Sequence, residues 1–426
     1  MFSCQIACRI PAEEAAVRET QTEPDIAARS EEIDFPFHDL FISHTDKRGV
    51  IISGNEVFRR VSGFDWSELV GAPHRLIRHD DMPCGVFQLF WDRLKAGKGV
   101  GCYVKNKTKD NRSYWVYAYV TPIADGYVST RQRPSSDLFE KVREIYAGLR
   151  RREREENLTP EASRDALLET LAQAGFANYE DFMACSAVRE TTGRIRALGR
   201  TLPYEIREAA NFATVLRPFR QGIDELERLF TSIHDAPTNI RILAAQLEQN
   251  SGPIGIISNN HTTLSQEVVA SLADFRRETE AIFDAVNNAV FNVCLARILT
   301  EMVEKFETET ECAPGLDFAS EANILAGAAE VASRQARDHL FRMARQSRRF
   351  ANATADMKRK ASALDVTRIM CKIENARNPD PTGGLGQILD NLEKVQGRIA
   401  QRLSAMAKAS RTITSDADLF ARGRQV

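Results

Sequence analysis

The chain has 426 residues, a formal net charge of −2 and 43% hydrophobic residues. That length suggests two or three domains, and a near-neutral balance with a pI of about 6.4 gives no support for a nucleic-acid partner. No run of about 18 apolar residues exists, so no membrane insertion is expected.

Residues 1–34 read as a poorly ordered polar tail, because MFSCQIACRIPAEEAAVRET has no long apolar core after a basic start. Eight cysteines are scattered along the chain without a CxxC pair, which suits reduced thiols and a cytoplasmic protein. Cys4 and Cys8 are the one close pair. No second Cys/His pair lies near enough to complete a tetrahedral metal site, so they read as ordinary thiols.

Residues 35–134 have a short, mixed rhythm. HDLFISHTD and VIISGN read as two strands joined by the turn KRG, a hairpin. NEVFRRVSG and DWSELVG are short helices ended by glycine, and MPCGVFQLFWDRLKAG is a longer amphipathic helix. GVGCYVKNKT, RSYWVYAYVTPI and GYVSTRQR read as three more strands, with KDN as a tight turn. Two strands, several helices and three strands make an α+β order, suited to a five-stranded antiparallel sheet with helices on one face.

Strand signals nearly vanish after residue 135. A helical connector is expected over 135–202: a charge-rich helix at about 136–156, a second one with Thr159 as N-cap and Pro160 at N1, and a compact helical corner at GFANYEDFM. Over 203–310 the apolar residues fall into two heptad stripes, Leu216, Phe219, Ile223, Leu226, Phe230, Ile233, Ile240, Leu243 and Leu247, then Leu264, Val268, Phe275, Ile282, Val286, Ala289 and Val293. NSGPIG separates them, so they predict an antiparallel helical hairpin with arms of roughly 60 Å. Residues 311–426 add a helix at about 318–376 and a last one carrying Ile388, Leu392, Val395, Ile399, Leu403 and Met406. The four long helices predict an all-α bundle, closed either by one chain or by pairing of two.

The loop PHRLIRHDDMP, residues 73–83, concentrates two histidines, two arginines and two aspartates between prolines. In the bland reading the charges are paired or solvated. In the functional one, Arg78 and His74 meet an anionic group, for which the guanidinium fork is suited, and Trp91 stacks on a planar ring. The spacing of His74 and His79, with Asp80 and Asp81 adjacent, is not that of a helical zinc pair. A heme would need one axial histidine, which His74, His79 or His44 would supply.

On GAPHRLIRHDDMP, the FW of the following helix, VKNKTKDNRSYWV and GYVSTR, the stretch from about 37 to 133 resembles a PAS domain, closest to that of bacterial aerotaxis receptors. The resemblance implies FAD bound without a covalent link and redox reporting, with heme as the alternative of the wider family. It puts the cofactor contacts on Asn55, His74, Arg78, His79, Asp81 and Trp91. Asn55 also fits as the cap of NEVFRRV, and Trp91 as core packing. Asp80 stands where proline is usual, and Cys84–Gly85 where a more helix-favouring pair is usual.

PTNIRILAAQLE at 237–248 and GPIGIISNNHTTLSQEV at 252–268 resemble the stretches that enter and leave the cytoplasmic tip of methyl-accepting chemoreceptors. Only QNS stands between them, and Asn239 and Gln246 are the polar residues kept. The resemblance implies a chemotaxis-type kinase or coupling protein, or another signalling protein, as partner, and a possible homodimer. No nucleophile–base set, phosphate loop or kinase motif is found, so no enzyme is expected. The expected function is a cytoplasmic PAS sensor of redox or oxygen acting through a helical bundle. The rivals are a cofactor-free interaction module or adaptor and a heme gas sensor.

Overall fold

The computed structural model describes residues 32–232, 238–240, 242, 253–306, 317–377 and 384–421. Cys4, Cys8, Gln246 and the QNS tip lie outside them. The chain divides into two compact units, one of Met1–Ala210 with Asn287–Ala336 and one of Asn211–Val286 with Arg337–Val426.

The first unit is built on five antiparallel strands, β1 (Leu40–Asp46), β2 (Ile51–Gly54), β3 (Val100–Lys107), β4 (Ser113–Pro122) and β5 (Gly126–Gln132), in the order β2-β1-β5-β4-β3. Both predicted tight turns are present, with Gly49 at φ 78° and Asn111 at φ 66°. Between β2 and β3 run α1 (Glu56–Ser62), α2 (Trp66–Leu69), a 3₁₀ turn (His74–Ile77) and α3 (Cys84–Lys95). Gly63, at φ 73°, ends α1, a conformation that costs glycine little. Together these elements are the α+β arrangement the sequence predicts.

Alternation sorts the strands into two faces. Ser43, Ser129 and Arg131 share the inner face with Val116, Ala118 and Cys102, as the registers Ser43↔Ser129, Ala118↔Arg131 and Cys102↔Ala118 require. The outer face carries Tyr103, Tyr117 and Tyr119, in edge-to-face contact with centroids 4.9 Å apart in succession. This face is covered by α4 (Asp137–Glu155) and α6 (Tyr179–Ala197), with α5 (Pro160–Gln173) between them in sequence. The corner expected at GFANYEDFM is thus the start of a 19-residue helix, capped by Asn178, whose side chain accepts from the Asp181 N–H. The sequence signal is weak because this helix is buried on several sides and lacks a single apolar stripe.

All three outer tyrosines bond to α6. Tyr103 Oη donates to Glu190 Oε1 at 2.7 Å, Tyr117 Oη meets Ser186 Oγ at 2.9 Å, and Tyr119 Oη lies 2.7 Å from Thr191 Oγ1. Glu190, fully buried, also accepts from the Ser135 N–H and from Ser136 Oγ, both at 2.5 Å, beside the start of α4. A buried carboxylate is tolerated there because donors and the helix N-terminus surround it.

Gly85 explains one departure from the family pattern. A Cβ on it would lie 2.4 Å from the Ser163 backbone carbon of α5. Its neighbour Cys84 donates its N–H to buried Glu153 of α4 at 2.7 Å, and Ser163 Oγ donates to the same oxygen at 2.5 Å. Glycine here lets α5 sit directly on α3. Gly85→Ala is expected to force these helices apart and destabilise the unit by roughly 1–3 kcal/mol, read as a lower urea midpoint.

The second unit is helical, made from parts of α7 (Tyr204–Ser232), α8 (Pro253–Phe306) and α9 (Phe318–Arg377) with α10 (Gly384–Ala421). Glu227 pairs with Arg276, Phe275 packs on Phe350 at 4.8 Å, Ser347 bonds Ser410, and Arg398 reaches Glu225 at 2.8 Å. Each helix therefore touches the next and the last touches the first, an up-down-up-down bundle closed within one chain. Ile223, Leu226, Phe230, Val268, Phe275 and Ile282 are buried as their heptads predict. In α10 the seam runs through Leu385, Leu389 and Leu392 to Ile399, Leu403 and Met406, while Ile388 and Val395 sit at its partly exposed edge. By length and composition α8 is apolar enough to cross a membrane, but 78% of its most apolar stretch is buried within the protein.

Candidate functional site

The inner sheet face, α1 and the 3₁₀ turn hold an unusual charge. Arg131 on β5 is 4% exposed, and no carboxylate pairs with it among the described residues. One Nη2 hydrogen bond runs to Ser43 Oγ at 2.7 Å and another to His74 Nε2 at 2.5 Å. Among the described residues, buried Nη1 has no hydrogen-bond partner, and neither has the Ser129 hydroxyl one pair of residues along the same face. Burial lowers the Arg131 pKa to about 10, which leaves it charged at neutral pH. Two hydrogen bonds and the Phe58 ring, 5.5 Å from Cζ, only partly offset the burial of this cation, and a fold that keeps such a charge without an acid has a use for it.

His74 is held from two sides. Its ring stacks on Phe58 of α1, with centroids 5.9 Å apart and planes 3° from parallel. A guanidinium has only donors, so His74 Nε2 must be the acceptor and the imidazole neutral. Burial, then the charges of Arg131 and Arg78, hold His74 well below the usual histidine range. Arg78 lies with its Cζ 3.5 Å over the ring of Phe87 in α3, a cation–π contact that aims a second guanidinium at the same region.

The other expected site residues lie apart from this pair. Asn55 is fully buried, and its side chain is engaged by backbone. Oδ1 accepts from the Phe58 N–H as the α1 cap and from the Ile42 N–H, and Nδ2 donates to the Leu40 carbonyl at 2.8 Å. Asn55 ties α1 to β1 and so positions Phe58. His79 and Asp81 join a surface network, with Asp81 52% exposed and bonded to Lys105 Nζ at 2.8 Å. Burial, followed by Lys105, depresses His79. Trp91 meets Tyr127 edge-on at 5.6 Å and covers Gly49, bracing the β1–β2 turn. His44 is on the opposite sheet face, 3.1 Å from Glu321.

Arg131, Ser43 and Ser129 are the inner-face residues of the candidate site that the sequence reading passed over. Their signal lies in strand alternation: in GYVSTRQR, the Ser129 and Arg131 positions point inward, and an inward arginine between small residues is rare in a plain core.

The family described as PAS fold matches residues 51–129. The sheet-and-helix region is a PAS domain. The chain is 36% identical over 113 residues to the aerotaxis receptor of Escherichia coli, an alignment covering 25% of this chain and 22% of the receptor. It is 30% identical over 87 residues to the biofilm dispersion protein BdlA of Pseudomonas aeruginosa, covering 19% of this chain and 20% of that protein. The chain therefore spans about a fifth of the length of each curated relative. Among solved structures, the LOV domain of the blue-light activated histidine kinase of Erythrobacter litoralis aligns with 95% of its own length and 23% of this chain, at 20% identity and a TM-score of 0.20.

The residues around Arg131 suit a ring-bearing anion such as a flavin in charge. Arg131 Nη1 and Ser129 Oγ are polar atoms without a hydrogen-bond partner among the described residues, and the rings of Phe58 and His74 lie beside Arg131.

Proposed function

We propose that the chain is a cytoplasmic PAS sensor of the aerotaxis or chemotaxis type, whose pocket holds FAD and reports its redox state. The observation that carries this reading is the buried, acid-free cation Arg131 in the PAS interior. Similarity to an aerotaxis receptor supports the choice of flavin over other ring-bearing anions. When bound, the flavin supplies electron acceptance and donation. Arg131 binds its anionic side, His74 and Phe58 flank it, and Asn55 keeps α1 in place. A change at the inner sheet face reaches α6 first, because three sheet tyrosines are bonded to that helix. The long helices then alter a contact with a chemotaxis-type kinase, a coupling protein or another signalling partner. A preference of a few kcal/mol between two packings is enough for such a relay.

The test is the visible spectrum of the untagged protein purified in the dark. The two absorption bands of an oxidised flavin, bleached by reduction, are expected. One intense band of a heme would redirect the reading to an axial histidine. A protein that stays colourless after incubation with FAD or heme would leave an interaction module instead.

A further inference from the structure

We propose that Arg131 and His74 form a charge-coupled proton switch: negative charge arriving at Arg131 Nη1 lets His74 take up a proton at Nε2, which breaks the Arg131–His74 hydrogen bond and frees the 3₁₀ turn. This rests on the pocket being the ligand site proposed above.

The geometry leaves little choice. The groups packed on His74 are Phe58 from α1, Ser43 from β1 and Arg131 from β5, with the charge of Arg78 nearby from the loop after the turn. Both charged neighbours are cations and no carboxylate bonds His74 among the described residues. Protonation is therefore opposed by like charge and by the loss of an acceptor, since an imidazolium cannot accept from Nη2. An anion at Nη1 offsets the guanidinium charge and removes that like-charge opposition, which is second to burial among the causes that keep His74 neutral. The proton comes from solvent, and the product is an imidazolium that can donate Nε2–H to Ser43 Oγ, now 3.2 Å away. His74 begins the 3₁₀ turn and stacks on α1, so the rearrangement reaches both elements. The ligand chemistry is a negatively charged group on or near a flat ring. Either the phosphates of FAD or its reduced, anionic ring would serve.

The test is an NMR titration of the full chain with labelled histidine. The protein has seven histidines, and His74→Gln assigns the signal. In ligand-free protein, His74 is expected to stay neutral through the pH range in which a free imidazole becomes charged. Arg131→Gln is expected to raise its titration by about one pH unit or more, and Arg131→Lys to keep it low. Circular dichroism establishes that each variant is folded, and Ser43→Ala gives a second probe if Arg131→Gln is not. In that case Ser43→Ala is expected to lower His74 further, by removing the acceptor available to the imidazolium. A rise on binding oxidised FAD places the phosphates at Arg131; a rise only after reduction with dithionite places the ring there. An unmoved His74 in folded Arg131→Gln overturns the coupling, as does FAD retained in both redox states without a shift. If FAD is not retained but Arg131→Gln moves His74, the coupling stands and the flavin reading fails.

Discussion

Glu301→Ala is expected to destabilise the first unit by about 3–5 kcal/mol, with a fall in melting temperature of roughly ten degrees. Glu301 on α8 holds Arg194 of α6 in a two-pronged pair at 2.7 and 2.9 Å, with Arg200 at 3.1 Å on one of the same oxygens. The Arg194 and Glu301 side chains are 2% and 5% exposed. Removing the acid strands a guanidinium in the interior, where, among the described residues, the Phe37 carbonyl is the one acceptor left to it. Replacing both partners by apolar residues of similar volume, Arg194→Met with Glu301→Leu, removes the stranded charge and is expected to recover most of the loss. The pH dependence follows from Glu301. Burial pushes its carboxyl up, but the bonds and charges of Arg194, Arg200 and Arg297 outweigh this and leave it below the usual carboxylate range. A depressed carboxylate contributes fully above its unfolded value and less as pH falls through its folded one. Acid should therefore narrow the gap between wild type and the double variant. A gap constant from neutral pH to about pH 3 would contradict the assignment.

The sheet and its helices are legible from the sequence because local signals agree there. KRG and KDN are turn-formers, Gly63 and Gly71 sit at left-handed φ values after two short helices, and alternation marks each strand. The heptads likewise predict long helices, but nothing in them says that Glu225 on α7 would meet Arg398 on α10 and close the ring within one chain. That pairing is non-local, and a heptad specifies a seam without specifying whose helix fills it.

The site is legible in part. His74 and Arg78 stand out as charges in a loop between prolines; the structure sets His74 on Ser43 and Arg131 of the inner sheet face and Arg78 over Phe87 of α3. His79 and Asp81 share that loop, but the chain leaves the 3₁₀ turn after Ile77 and carries them toward Lys105, with Asp81 half exposed and His79 largely covered. Asn55 shows the opposite confusion. The residue type that caps a helix is also one that binds ligands, and only its three backbone partners reveal the capping role. Arg131 was hidden by its strand. Its importance depends on the lack of an acid around it, which is a property of several elements at once.

Arg131→Met is expected to separate stability from function in the PAS domain. Among the described residues, the wild-type guanidinium is buried with Nη1 unpartnered and no carboxylate paired with it. Methionine has a comparable flexible stem, removes the charge and leaves His74 Nε2 free to bond Ser43 alone. The ligand-free variant should be as stable as wild type or more stable, by up to about 1–4 kcal/mol if replacement of a buried ion pair is a guide. Flavin retention should fall at least tenfold, because a buried hydrogen bond from a charged donor is worth about 1.5–3 kcal/mol. The measurements are urea midpoints of apo proteins and flavin retained after gel filtration. A role in packing alone predicts the reverse, a destabilised apo protein that keeps its flavin. A loss of both would mean that Arg131 is needed to build the pocket before anything occupies it. The first pattern would make the buried cation a feature kept for its ligand at a cost to the empty fold, as expected of residues that serve a site and not the core.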